Sequence, residues 1–239
     1  MGMNLDAQIA AVRLAWSIDP DARRELTPDE QATLRGFMGW GQLAAAFAPT
    51  PEGKWADYAT ELEDAMPAEA FFEASTQVDT SFYTPAAVTD AVYSLLASVG
   101  FTGGRAFEPG CGAGAFMSAA PASMRIDWTG IDIDPTATRI AKLLHPTADI
   151  ITGRLEKNEV RDGTFDVAIG NVPFSSSTVY DQQGRSGALH NYFILRAAEA
   201  VRPGGYVVLV TSRHTLDAGG GLLTRSREFD GMVFEGAVR

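Results

Sequence analysis

Apolar positions along this chain change their period once, near residue 76. Before that point they recur at helical spacing in "LDAQIAAVRLAW", in "TPDEQATLRGFMGW" and through "WADYATELEDAM". Thr27 followed by Pro28, Asp29 and Glu30 is a helix start, with a hydroxyl cap, proline at the first position and carboxylates in the first turn. After residue 84 short apolar runs ("RAFEPG", "DWTGIDID", "ADIIT", "FDVAIGN", "GYVVLVTS") alternate with helical patterns ("PAAVTDAVYSLLASVG", "PTATRIAKLL", "NYFILRAAEAVRP"). Strand–helix alternation with loops of this length predicts an α/β fold, a doubly wound and mostly parallel sheet covered on both faces. Residues 1–75 form a helical appendage in this reading, and residues 76–239 the sheet domain.

Composition narrows the class. The 239 residues are 46% hydrophobic and 21% charged, ordinary for a globular protein, with length enough for one α/β domain and an appendage. One cysteine excludes a disulfide framework and a thiolate metal cluster, and predicts a reducing, cytoplasmic setting. No apolar stretch approaches the roughly 18 residues needed to span a bilayer, so no membrane partner is expected. The three histidines lack ligand spacing, and no metal is expected. Net charge is −11, and residues 1–75 hold 13 acidic against 5 basic side chains. That is not the basic face of an autonomous nucleic-acid binder.

In open α/β sheets ligands bind beyond the carboxyl ends of the strands. The first strand ends in "FEPGCGAGAF", where Gly110, Gly112 and Gly114 alternate. Glycines at a strand-to-helix turn let the backbone approach a ligand. The spacing differs from the dinucleotide pattern, and Glu108 precedes the turn, which suits a cationic ligand better than a phosphate. The second strand ends at Asp132, 22 residues after Gly110, where a carboxylate holds ribose hydroxyls. Asp134, ahead of Pro135, suits a helix cap. A cationic ligand that bears a ribose is S-adenosylmethionine.

The fourth strand ends in "GNVPF". An aromatic amine is a poor nucleophile because its lone pair is delocalised into the ring. Two acceptors on its N–H bonds favour the geometry that frees the lone pair. The Asn171 side-chain oxygen supplies one acceptor and the Val172 carbonyl the other, with Pro173 restricting Val172 to extended backbone. Phe174 offers a stacking face, worth about 1–3 kcal/mol per base. The plain alternative is a turn after a strand, since Asn and Pro both favour turns. Downstream, "FSSSTVYDQQGRSGAL" reads as a mobile loop beside the site, Cys111 as a small residue in the glycine turn, and His145 as a surface residue.

The order "FYTP", "EPGCGAGAF", "GIDIDP", "NVPF" resembles the amino-methylating DNA methyltransferases, whose fourth motif is usually Asn or Asp, then Pro-Pro and an aromatic. Val172 departs from that pattern, but at a place where the backbone carbonyl acts. "FMGWGQLAAAF", "YTPAAV", "GNVPF", "HNYFILRAAEAVRPGG" and "TSRHTLD" together resemble the methyltransferase part of the large helicase–methyltransferase proteins of phages, plasmids and integrative elements, some of them antirestriction proteins. The resemblance covers most of residues 30–239 and implies an adenine-N6 DNA methyltransferase of the S-adenosylmethionine-dependent fold. It implies that Tyr83, Thr84 and Pro85 touch the methionine end of the cofactor and that Glu108 faces its amino group. Gly110 and Gly112 line the adjacent wall, Asp132 holds the ribose and Ile133 packs on the adenine. Asn171 to Phe174 receive the target base.

Arg154 stands where the family often has an Asp that contacts the cofactor's adenine amine, and Glu156 is the substitute. "MVFEGAVR" resembles a sixth strand, which leaves the sheet edge incomplete. DNA is the expected partner, bound weakly by this chain alone, with a further domain or partner protein supplying DNA surface. Two alternatives stay open: a methyltransferase for another planar amine, cytosine N4 or protein glutamine, and a non-catalytic cofactor-binding module of a larger assembly.

Overall fold

The computed structural model describes residues 5–211, apart from residues 23, 80, 82, 83, 175, 176 and 183–185. Tyr83 and the "MVFEGAVR" stretch lie outside the described residues. Four helices come first: α1 (Leu5–Ser17), α2 (Pro28–Leu34), α3 (Lys54–Ala65) and α4 (Ala68–Thr76). Then follow α5 (Ala86–Ser98), β1 (Gly103–Pro109), α6 (Ala115–Ala119), β2 (Arg125–Asp132), α7 (Pro135–Leu144), β3 (Asp149–Thr152) and β4 (Phe165–Asn171). A small hairpin, β5 (Thr178–Tyr180) and β6 (Ser186–Ala188), precedes α8 (Leu189–Ala200) and β7 (Val201–Val210). Among the described residues no helix is long and apolar enough to cross a membrane.

The main sheet has the order β3-β2-β1-β4-β7, and every pairing in it is parallel. Its side chains divide with the two-residue period of a strand. Phe107, Ile131 and Ala168 face α8, which presents Tyr192, Phe193 and Ala197. Ala106, Val167 and Ile169 face the other way, toward Tyr93 and Leu96 of α5 and Phe116 of α6. Chain order climbs outward from β1 on each side, so the carboxyl ends of β1 and β4 flank the point where strand order reverses.

Helix starts follow local chemistry. At α2 Thr27 accepts from the Glu30 N–H while Glu30 reaches back to the Thr27 N–H, a complete capping box. At α7 Asp134 accepts from the N–H groups of Thr136 and Ala137.

The first four helices do more than pack on the outside. Ile9, Val12, Leu34, Trp40 and Leu62 share one core with Ala137 and Ile140 of α7. Trp16 donates its indole N–H to Thr136 Oγ1 at 3.0 Å. Arg139 donates to the carbonyls of Ala15 and Ile18, both at 2.6 Å, with its guanidinium 4.8 Å from the Trp16 ring centre. The N-terminal region is thereby tied to the helix that follows β2.

Two local expectations change. The stretch after "GNVPF" contains the β5–β6 antiparallel pair, with Val179 buried beside Val172 in the core under α8. His145, expected at the surface, is half-buried at the end of α7, with its ring against Ser118 Oγ at 3.0 Å.

Candidate active site

A cavity of about 400 Å³ opens where β1, β4, the glycine turn and the N-terminal helices meet. Its wall includes Thr84, Glu108, Gly110, Gly112 and Asn171, together with Arg35, Met38 and Gly39 from the N-terminal region. The turn after β1 gives the floor its shape. Gly110, Gly112 and Gly114 all have positive φ (74°, 51° and 80°), a region that side chains with a Cβ resist. The turn at Gly112 sends its N–H to Asp132 Oδ2 at 2.8 Å, so the ends of β1 and β2 are held together by backbone and carboxylate. A Cβ on Gly130 of β2 would stand 2.8 Å from Met117 Cε and 2.9 Å from Cys111 Sγ. Cys111 therefore fills a packing position, and burial pushes its thiol well above the usual range.

Three carboxylates sit close together, with Glu108 and Asp134 buried and Asp132 half-buried. Glu108 is 2% exposed, and burial first, then the charge of Asp132, pushes its pKa well above the usual carboxylate range. Burial also raises Asp132, against the opposing N–H groups of Asp134, Gly112 and Ile133. Asp134 is pushed up to about 7 by burial and by Asp132. Its Oδ2 accepts the indole N–H of Trp40 at 2.5 Å, which fastens the "GWG" loop of the N-terminal region onto the cap of α7.

Among the described residues, two buried acceptors in this region have no protein donor: Glu108 Oε2 and Asn171 Oδ1. A buried acceptor left unpaired costs about 1–3 kcal/mol, so two in one cavity ask for a ligand that donates. Asn171 donates its Nδ2 to Thr84 Oγ1 at 3.3 Å, and Thr84 is 6% exposed. That bond uses the donor side of the amide and leaves its carbonyl oxygen free. A ligand with an ammonium group fits Glu108, and a planar amine fits Asn171. S-adenosylmethionine carries such an ammonium.

The other described residues expected from the sequence are not among those that line this cavity. Asp132 stands behind Gly112 with Oδ1 on the Asp134 N–H and Oδ2 on the Gly112 N–H, and a carboxylate has lone pairs to spare. Ile133 is half-buried in the following turn. Pro85 caps α5 with extended backbone, its neighbour Ala86 lining the cavity. Val172 is buried, with its N–H on the Val210 carbonyl at 3.1 Å, and Phe174 is 42% exposed. Pro173 lies near Gly110, where its Cδ would be 3.7 Å from an added Cβ. Glu156 lines a separate cavity of about 180 Å³ with Asp181, Tyr192 and Arg196. Sequence reasoning missed Arg35, Met38 and Gly39, whose signal was the glycine-flanked Trp40 between two helices.

Residues 107–209 match a family model described as a methyltransferase domain. The chain is 27% identical over 135 residues to the "Defense against restriction protein B" of Escherichia phage P1, a match that covers 54% of this chain and 6% of that protein. It is 28% identical over 148 residues to the "rRNA N(6)-adenosine-methyltransferase metl-5" of Caenorhabditis elegans, covering 58% of this chain and 64% of the relative. The chain thus spans less than two thirds of either relative's length. A solved structure from Listeria monocytogenes, titled as a class I S-adenosylmethionine-dependent methyltransferase, superposes with a TM-score of 0.47 at 13% identity, over 95% of this chain and 78% of that one. From within β1 to within β7 the chain is thus similar to a methyltransferase domain.

Proposed function

We propose that this chain methylates the exocyclic N6 of adenine in DNA. The observation that carries the reading is the Asn171 amide, whose Nδ2 is held by Thr84 while its buried Oδ1 lacks a donor. An exocyclic amine carries the N–H that this oxygen needs. When bound, S-adenosylmethionine supplies an electrophilic methyl group on a sulfonium.

The residues of the chain prepare the other side of the reaction. Asn171 Oδ1 accepts one N–H of the amine, and the Val172 carbonyl accepts the second, which frees the nitrogen lone pair. Pro173 confines Val172 to extended backbone. Phe174, 42% exposed at the rim, gives the base a face to stack on once it leaves the duplex. The nitrogen would gain the methyl group as the sulfonium S–C bond breaks, with that electron pair left on sulfur as a thioether, and would lose one proton to water. No strong base is required before transfer, since placement of the two groups supplies the rate advantage.

Adenine as the target agrees with the adenosine-N6 activity for which the nematode relative is named. Protection of mobile-element DNA agrees with the phage relative, named for defence against restriction. The nematode relative also favours a second reading, the same reaction on adenosine in RNA. With a net charge of −11, a further domain or partner protein supplies phosphate-binding surface in either reading.

The test is transfer of labelled methyl from S-adenosylmethionine to duplex DNA, single-stranded DNA and RNA, followed by mass analysis of the nucleosides. N6-methyldeoxyadenosine supports the proposal and N6-methyladenosine the second reading. Methyl on cytosine N4 or on protein glutamine overturns both.

A further inference from the structure

We infer that Arg35, donated by the N-terminal helical region, anchors the carboxylate of the cofactor's amino-acid end. The inference rests on S-adenosylmethionine as the cofactor and adds a charged anchor from outside the matched domain. Among the described residues that line the 400 Å³ cavity, Arg35 is the one cation. It shares that wall with Glu108, whose buried Oε2 has no donor. An α-amino acid carries an ammonium and a carboxylate on one carbon. A cavity that presents an orphaned carboxylate oxygen and a guanidinium is complementary to both charges.

The side chain of Arg35 is available for this role. It donates to the Gln31 amide oxygen at 3.2 Å, which uses one of five N–H groups. No carboxylate among the described residues forms an ion pair with it. Arg35 also lies close enough to His145 for its charge to add to burial, the larger cause, in pushing that imidazole down to about 4. His145 is therefore neutral at physiological pH and does not compete for an anion.

The segment that carries Arg35 is fixed before any ligand arrives. Leu34 and Phe37 on either side are buried at 0% and 4% exposure. The Met38 N–H bonds Gln8 Oε1 and the Trp40 N–H bonds Ser81 Oγ, both at 3.2 Å. Preorganisation of this kind lowers the entropy lost when the guanidinium engages.

The experiment is titration calorimetry of the full chain with two ligands. S-adenosylhomocysteine carries the amino-acid end; 5′-methylthioadenosine keeps adenine, ribose and thioether but lacks it. Arg35→Ala should weaken S-adenosylhomocysteine roughly tenfold, the scale of one charge-assisted bond. It should leave 5′-methylthioadenosine within about twofold, and Arg35→Lys should restore much of the loss. Equal losses for both ligands, or an unchanged affinity for S-adenosylhomocysteine, would overturn the assignment. Wild-type protein that binds S-adenosylhomocysteine no tighter than 5′-methylthioadenosine would overturn it too. Wild-type protein that binds neither ligand would instead overturn the cofactor on which the inference rests.

Discussion

Removal of the Trp40 indole N–H should destabilise the protein more at high pH than at low pH. Trp40 is fully buried and packs edge-on against Phe37 and Phe47, with ring centres 4.9 and 5.6 Å apart. Its one polar atom donates to Asp134 Oδ2, while Asp134 Oδ1 takes the N–H groups of Thr136 and Ala137. Burial raises Asp134 from 3.8 to about 7. The folded state therefore holds the Asp134 proton more tightly than the unfolded chain does. Stability from this group is fully present below about pH 4 and is lost as pH rises toward 7, on the order of 4 kcal/mol across the window. Trp40 offsets part of that loss, because its N–H favours the carboxylate. Trp40→Phe keeps most of the ring volume and costs about 1 kcal/mol in packing at any pH. At pH 8.5 it also removes a charge-assisted bond worth about 1.5–3 kcal/mol, against about 1 kcal/mol for the neutral bond at pH 5.5. The destabilisation should thus be about 1–2 kcal/mol larger at pH 8.5. Urea unfolding of wild type and variant at both pH values measures it, and equal slopes would show that the native states are comparable. Asp132 and Glu108 titrate in both proteins, so their contribution largely cancels in the difference. A loss independent of pH, or greater at pH 5.5, would refute the reasoning.

Asn171→Ala should reduce methyl transfer at least a hundredfold while S-adenosylhomocysteine affinity by calorimetry stays within about twofold, because the orphaned oxygen serves the substrate amine. Thr84→Val should lower turnover about tenfold with little change in cofactor affinity, and Thr84→Ser should restore it, since one hydroxyl holds the Asn171 amide. A loss confined to cofactor affinity would return Thr84 to a cofactor-contacting role. Glu108 must shed its proton to receive an ammonium, and burial raises its pKa. Cofactor affinity should therefore rise with pH through the range in which free Glu108 deprotonates, with proton release visible as a buffer-dependent enthalpy, and Glu108→Gln should flatten both.

The parts legible in the sequence are those where backbone chemistry is local. In the main sheet β4 ("VAI") and β7 ("YVVLV") carry continuous apolar runs because both faces are covered, and those runs are visible without a partner. The capping residues Thr27 and Asp134 act within three positions of themselves, so their roles could be read directly. The β5–β6 hairpin was read as a loop because its strands have three residues each and Val179 is the sole buried position of β5. α4 was passed over although "AEAFFEAST" has helical spacing, since Phe72 is 68% exposed and dilutes the apolar stripe. His145 reads as polar, and nothing nearby in the chain announces that Ser118 and Gly114 will close around it.

What the sequence hides is which surface an amphipathic helix covers, and here that surface is the site. A chain with a net charge of −11 places Glu108, Asp132 and Asp134 together at the ends of two strands, with Glu108 and Asp134 buried and Asp132 half-buried. Burial of three carboxylates in proximity is unfavourable unless donors or cations meet them. Backbone N–H groups meet Asp132, and Trp40 joins them on Asp134. Glu108 alone keeps an oxygen with no donor. The N-terminal region adds Phe37, Met38 and Gly39 to the enclosure that Glu108 also lines, and it supplies the lining cation, Arg35. Periodicity registers those helices only as an appendage because their contacts with α7 lie about 120 residues along the chain, as for Trp16 and Thr136. The same enclosure that raises the energy of the empty carboxylate is what makes an ammonium ligand worth binding, so the appendage and the binding turn function as one unit.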